Sequence, residues 1–77
     1  MLSRVYTAAN LETAELHVEQ AKRRIVEQCE RIEEFRAYGW NLHDAEMILQ
    51  DMLRLLPRIE RHRDEIAREL ERDRHPG

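Results

Sequence analysis

Cysteine occurs once in this 77-residue chain, as Cys29, so no internal disulfide can staple it. Serine also occurs once, as Ser3, which leaves no serine nucleophile within the patterned part of the chain. Glycine is confined to Gly39 and Gly77, so no glycine-rich phosphate cradle can form. Proline is confined to Pro57 and Pro76, and aromatic residues make up 5% of the chain. Lysine is nearly missing as well: Lys22 is the one lysine among 13 basic residues, and arginine supplies the rest, as expected of a GC-rich bacterial genome. No apolar run approaches the length that spans a bilayer, so no membrane partner is expected. The stretch Met1-Leu2-Ser3-Arg4-Val5-Tyr6 carries no apolar core of a secretion signal, and a cytoplasmic location is the expectation.

Charge is abundant but balanced. Sixteen acidic and 13 basic side chains interleave to a net charge of −3, and charged residues reach 38%. That composition belongs to long helices and coiled coils. It argues against a dedicated nucleic-acid binder, which concentrates arginine and lysine on one face. A chain of this length has a marginal core of its own unless metal, disulfides or oligomerisation contribute.

The organising stretch is Tyr38-Gly39-Trp40-Asn41, near the midpoint. Gly39 follows a periodic run and reads as a left-handed helix stop, because glycine reaches positive φ without a Cβ penalty. Asn41 reads as the next N-cap, with Asp44 three residues on to complete a capping-box-like pair. Trp40 is placed to fold onto the first turn of the second helix as a staple.

Apolar residues follow a heptad on both sides. Before the turn, Leu11, Val18, Ile25 and Ile32 form one row, and Ala14, Ala21, Gln28 and Phe35 the other. Thr7 and Asn10 are both candidate caps, and Asn10 is favoured because Leu11 begins the regular pattern with Glu12 in the first turn, so the helix is read over about 11–38, with residues 1–10 loosely ordered. After the turn, Leu42, Leu49, Leu56, Arg63 and Leu70 alternate with Ala45, Met52, Ile59 and Ile66, and a third row adds Ile48, Leu55 and His62. The second helix is expected over about 42–72, with 73–77 frayed. Pro57 costs about 3 kcal/mol inside a helix. The heptad phase nevertheless passes through it unshifted, which predicts one continuous helix with a kink. The fold class is therefore all-α: a single-domain antiparallel two-helix hairpin over residues 1–77, each helix on the order of 40–45 Å long. Strict row pairing sets Phe35 against Ala45, Ile32 against Leu49 and Gln28 against Met52.

Such a hairpin has little core, and the broader apolar face of the second helix needs a second neighbour. Two copies are expected to pair through Ile48, Leu55 and His62, with Met52, Ile59 and Ile66 alongside, into a four-helix bundle. Leu16, Val26, Met47 and Leu53 lie outside the seam and mark a further partner surface where exposed. Gln28 either fixes register as the lone polar seam residue or faces solvent. Arg63 is expected to reach Glu15 or Glu19 on the facing helix, and Cys29 to serve as a small buried hydrophobe. Lys22, Arg23 and Arg24 should lie beside Arg54, Arg58 and Arg61 in a basic band compensated by Glu19, Glu27 and Glu60.

Candidate chemistry is sparse. His17 and His62 fall on similar flanks near Glu15, Glu19 and Glu65, and a metal- or haem-binding bundle is the alternative they offer. The Glu-x-x-His spacing of di-metal bundles is missing, and structural-zinc spacing is missing too, so no metal or cofactor is assigned. His62-Arg63-Asp64 spells a kinase catalytic-loop tripeptide without the glycine-rich loop or magnesium motif that it requires. The functional expectation is a non-catalytic protein–protein interaction module that forms a homodimer, its further protein partners unidentified, with a DNA-associated regulator as a further alternative.

The run Arg24-Ile25-Val26-Glu27-Gln28, Gly39, Ala45-Glu46 and His62-Arg63-Asp64 resembles a group of short uncharacterised alphaproteobacterial helical-hairpin proteins. They share R-I-x-x-Q, a central glycine, A-E-x-x-L and a terminal H-R-D. The likeness covers residues 11–70 and implies a bacterial cytoplasmic hairpin with no established activity. In shape the chain is also similar to helical-hairpin phosphatases of sporulation response regulators, but it lacks their Ser-x-x-x-Asp motif on the second helix.

Overall fold

In the computed structural model, residues 6–74 are described. They form two helices, α1 over Ala8–Ala37 and α2 over His43–Arg74, packed as an antiparallel hairpin. The molecule is a rod of 60 × 16 × 15 Å. At about 1.5 Å per residue, helices of 30 and 32 residues are each on the order of 45 Å long. The expectation of loosely ordered ends is corrected over 7–10 and 73–74, which belong to the cap and the helices. Its remainder lies outside the described residues.

α1 starts three residues earlier than the heptad implied, because Thr7 and not Asn10 is its cap. The Thr7 hydroxyl accepts from the Asn10 backbone N–H at 3.2 Å, and the Thr7 N–H donates to the Asn10 side-chain oxygen at 2.9 Å. Asn10 is thus the reciprocal partner of a capping box. Asparagine here stands where glutamate or glutamine is usual, its side-chain oxygen accepting that bond.

The stop of α1 is as expected. Gly39 has φ +73°. The Gly39 N–H donates to the Arg36 carbonyl at 3.1 Å, and the Trp40 N–H to the Phe35 carbonyl at 2.9 Å. Those two bonds are the Schellman pair, and they satisfy carbonyls that the helix end leaves open. The motif usually carries an apolar contact between the residues corresponding to Trp40 and Phe35. Here their rings meet edge-on at 5.1 Å, and Tyr38 stacks on Trp40 at the same distance. The ring contacts of Trp40 are therefore with the end of α1, where a staple onto α2 was expected. The Schellman bond itself aims the Trp40 backbone back at Phe35.

Asn41 caps α2: its side-chain oxygen accepts from the His43 N–H at 2.8 Å. A carboxylate bond from Asp44 back to Asn41 is not formed among the described residues. Asp44 and Glu46 instead place negative charge in the first turn, where the helix dipole favours it. α2 runs unbroken through Pro57, and the chain makes no second turn there. Pro57 is exposed and Leu53, four residues back, is also exposed, so water can solvate the carbonyl that loses its partner.

The interior is a thin seam. Ala14, Val18 and Ile32 of α1 and Ala45 and Ile66 of α2 are its buried apolar side chains. Gln28 is buried with them, 3% exposed. Its Nε2 donates to the Ala45 carbonyl at 2.9 Å, and its Oε1 accepts from the Arg31 guanidinium at 3.4 Å. Of the two readings left open for Gln28, the buried cross-helix contact is the one realised. The bond also corrects the row pairing. Strict heptads set Gln28 against Met52, yet its amide reaches the Ala45–Leu49 turn. Met52 lines a hollow with Ala21, Arg24, Leu55 and Ile59. Away from this level the expected neighbours are kept, Ala21 with Ile59 in that hollow and Ala14 with Ile66 in another.

Candidate functional site

The outward face of α2 is built by a 4-3 spacing: Ile48, Met52, Leu55, Ile59, His62 and Ile66. Residues at that spacing form one stripe along a helix. The hairpin already uses the inner edge of this stripe. Ile66 is 2% exposed and faces α1, so its assignment to an intermolecular interface is corrected. Met52 and Ile59 are half-buried at the margin. Ile48 and Leu55 remain 46% and 49% exposed, and His62 is exposed in the same row. That row is the part of the expected interface left accessible.

Leu55 sits between two shallow hollows. One, of about 70 Å³, is lined by Ala21, Arg24, Met52, Leu55 and Ile59. The other, of about 320 Å³, is lined by Asp51, Arg54, Leu55 and Arg58. The basic band expected at mid-length is thereby realised around Leu55 for Arg24, Arg54 and Arg58. Arg54 is held by Asp51 on its own helix at 3.0 Å, with both side chains about two-thirds exposed. Exposed pairs of this kind contribute little to stability. They do order the arginine.

Leu16, Val26, Met47 and Leu53 are all about half exposed, as a further partner surface requires. Cys29 is exposed, which corrects its reading as a buried hydrophobe. Position 29 follows Gln28, and a residue beside a seam position on a helix points away from the partner. Arg63 does not reach Glu15 or Glu19. Its Nε donates to Asp64 at 2.8 Å, a nearer carboxylate on the same helix.

His17 and His62 do come together. They line one cleft of about 250 Å³ with Tyr6, Asn10, Thr13, Ala14 and Ile66. The Tyr6 ring meets the His62 ring edge-on at 6.1 Å, which ties the residue before the Thr7 cap to α2. Sequence reasoning missed Tyr6. The signal available was its place immediately before a Thr-x-x-Asn box, where an apolar ring commonly packs. Glu15, Glu19 and Glu65 do not line this cleft. Among the described residues, no group of three or more histidine, cysteine, aspartate or glutamate side chains is gathered to hold a metal.

The turn residues form an aromatic end to the rod, with Tyr38 and Trp40 70% and 56% exposed. Among the described residues no helix is long and apolar enough to cross a membrane. No family model matches the chain, and neither characterised proteins nor solved structures give a match.

Proposed function

We propose that this chain is a small, non-catalytic helical interaction module, cytoplasmic, that acts by associating with itself. The observation that carries this reading is the exposed row Ile48–Leu55–His62 beside the half-buried Met52 and Ile59. Two helices alone cannot cover a face that wide, and an unpaired apolar row at heptad spacing is what a further helix packs against. The thin seam supports it too, since a hairpin with so few buried side chains gains stability when a second hairpin covers its open side.

Light scattering with sedimentation at micromolar concentration tests the reading. A dimer mass, with helicity that falls on dilution together with that mass, is the expected outcome. A helical monomer at all concentrations would remove the proposal. Leu55→Asp should convert the dimer to monomer, because a charge placed in an apolar interface must be desolvated.

A second reading is favoured by one observation, the convergence of His17 and His62 on a single cleft. Two imidazoles from facing helices offer a metal or haem iron two ligands, with the remaining positions open to water or a small molecule. Titration with zinc, copper and haem tests it: stoichiometric binding lost in His17→Ala and in His62→Ala would establish it, and no binding in the intact protein would exclude it.

A further inference from the structure

Resting on the self-association just proposed, we infer that the occupant of the Leu55 face is a second copy of this chain docked antiparallel. The twofold axis lies beside Leu55, and Asp51 of each copy faces Arg58 of the partner subunit.

The argument is one of symmetry and charge. A twofold contact is isologous: a residue at position i meets a residue at j, and j meets i. On an antiparallel helix pair, positions equidistant from the axis face each other. An axis between Arg54 and Leu55 lies midway between Asp51 and Arg58, about 5 Å along the helix from each. These residues line one hollow together with Arg54 and Leu55. One operation therefore satisfies three conditions: it covers Leu55 with the partner's Leu55 region, sets Ile48 against the turn of α2 that carries His62, and pairs Asp51 with Arg58 twice. A parallel arrangement of the same face would put Asp51 beside Asp51 and Arg58 beside Arg58.

The neighbouring charges are consistent with this choice. Arg54, next to the axis, is already held by Asp51 at 3.0 Å, so each Asp51 bridges its own Arg54 and Arg58 of the partner subunit. The symmetry also sets Asp44 against Glu65, a like-charged pair, about 16 Å from the axis at either end. Both are exposed to water there, where a charge pair of either sign contributes little. The central pair is close to the apolar contact and less screened, so it sets the orientation.

Charge reversal tests the geometry. Asp51→Arg alone places arginine against Arg58, and Arg58→Asp alone places aspartate against Asp51. Each variant by itself should lose about tenfold or more in self-association at low salt. Mixed one to one, the two variants restore both opposite-charge contacts, and a heterodimer of near wild-type affinity is expected. Both positions are exposed, and circular dichroism verifies that the helices are kept.

Cross-linking gives an independent measure in a Cys29→Ser background. Ile48→Cys mixed with His62→Cys should form a mixed disulfide on mild oxidation, while neither should link to itself. Self-linking of each without mixed linking means a parallel pair and overturns the inference. A wild-type dimer whose variants neither dissociate alone nor pair together also overturns it, while leaving self-association intact. A wild-type monomer removes both readings.

Discussion

The side-chain amide of Gln28 donates to the backbone carbonyl of Ala45 at 2.9 Å, across the helix–helix seam and onto the first turn of α2. A buried amide aimed at a main-chain atom accepts a narrower range of helix offsets than an apolar side chain does. The register of the hairpin is therefore set at this level by a polar contact.

Gln28→Leu should leave stability within about 1 kcal/mol of wild type or raise it. The Ala45 carbonyl keeps its own helical partner, and Arg31 is exposed to water, so neither is stranded. Gln28→Glu should destabilise by about 1–2 kcal/mol at neutral pH, since one carboxylate oxygen faces the Ala45 carbonyl while Arg31 offsets part of the cost. Urea unfolding at fixed protein concentration compares the two. A leucine variant much weaker than the glutamate variant would show that the amide supplies stability and not register.

Gly39 sits at φ +73°, and a Cβ built there meets no atom within 4 Å. The cost of a side chain is thus conformational alone. Gly39→Ala and Gly39→Val should destabilise by about 1 kcal/mol and somewhat more, respectively, and Gly39→Asn by less, because asparagine tolerates the left-handed region. In a chain of this size the valine variant should melt roughly 4–8 °C lower. Equal melting of all three would mean that the turn relaxes to negative φ.

Pro57→Ala should stabilise the protein by about 1–2 kcal/mol. The substitution restores a backbone donor to the Leu53 carbonyl and removes the ring clash, less the entropy that the unfolded chain regains. Thermal melting at one concentration measures it. A fall in melting temperature would show that α2 depends on the proline for its path.

Ile66→Ala removes a side chain that is 2% exposed and should cost about 2–3 kcal/mol, the lower part of the range for buried isoleucine because the seam is open on its sides. Leu53→Ala, at an exposed position, should change monomer stability by less than about 0.5 kcal/mol. A large loss at Leu53 without a change in mass would place that residue in a buried contact.

Much of the hairpin was legible before its coordinates. Gly39 as a left-handed stop, Asn41 as a cap and an uninterrupted α2 through Pro57 each depend on local backbone chemistry, which residue type and spacing carry directly. The start of α1 lies at Thr7 and not at Asn10, because the regular heptad begins only at Leu11 while the capping box that starts the helix lies ahead of it. The seam position of Arg63 points to the facing helix, but Asp64, one residue away, offers a nearer carboxylate.

For the surface of α2 the division is similar. The heptad row Ile48, Leu55, His62 is a property of spacing, and its exposure follows once two helices pair. Which of its neighbours the hairpin consumes is not. Ile66 goes to the seam, Met52 and Ile59 go halfway, and His17 and His62 share a cleft with Tyr6, because how far α1 covers each position is set by packing along the whole seam.

By itself the sequence determined two long amphipathic helices, where they reverse and what holds the reversal. These are local matters of φ, capping and a 3.5-residue period. The tertiary structure alone decided which backbone group each seam side chain reaches, because a heptad row fixes a face and not a partner. The bond from Gln28 to Ala45 is one such choice, since a buried amide left unpaired is the costly alternative.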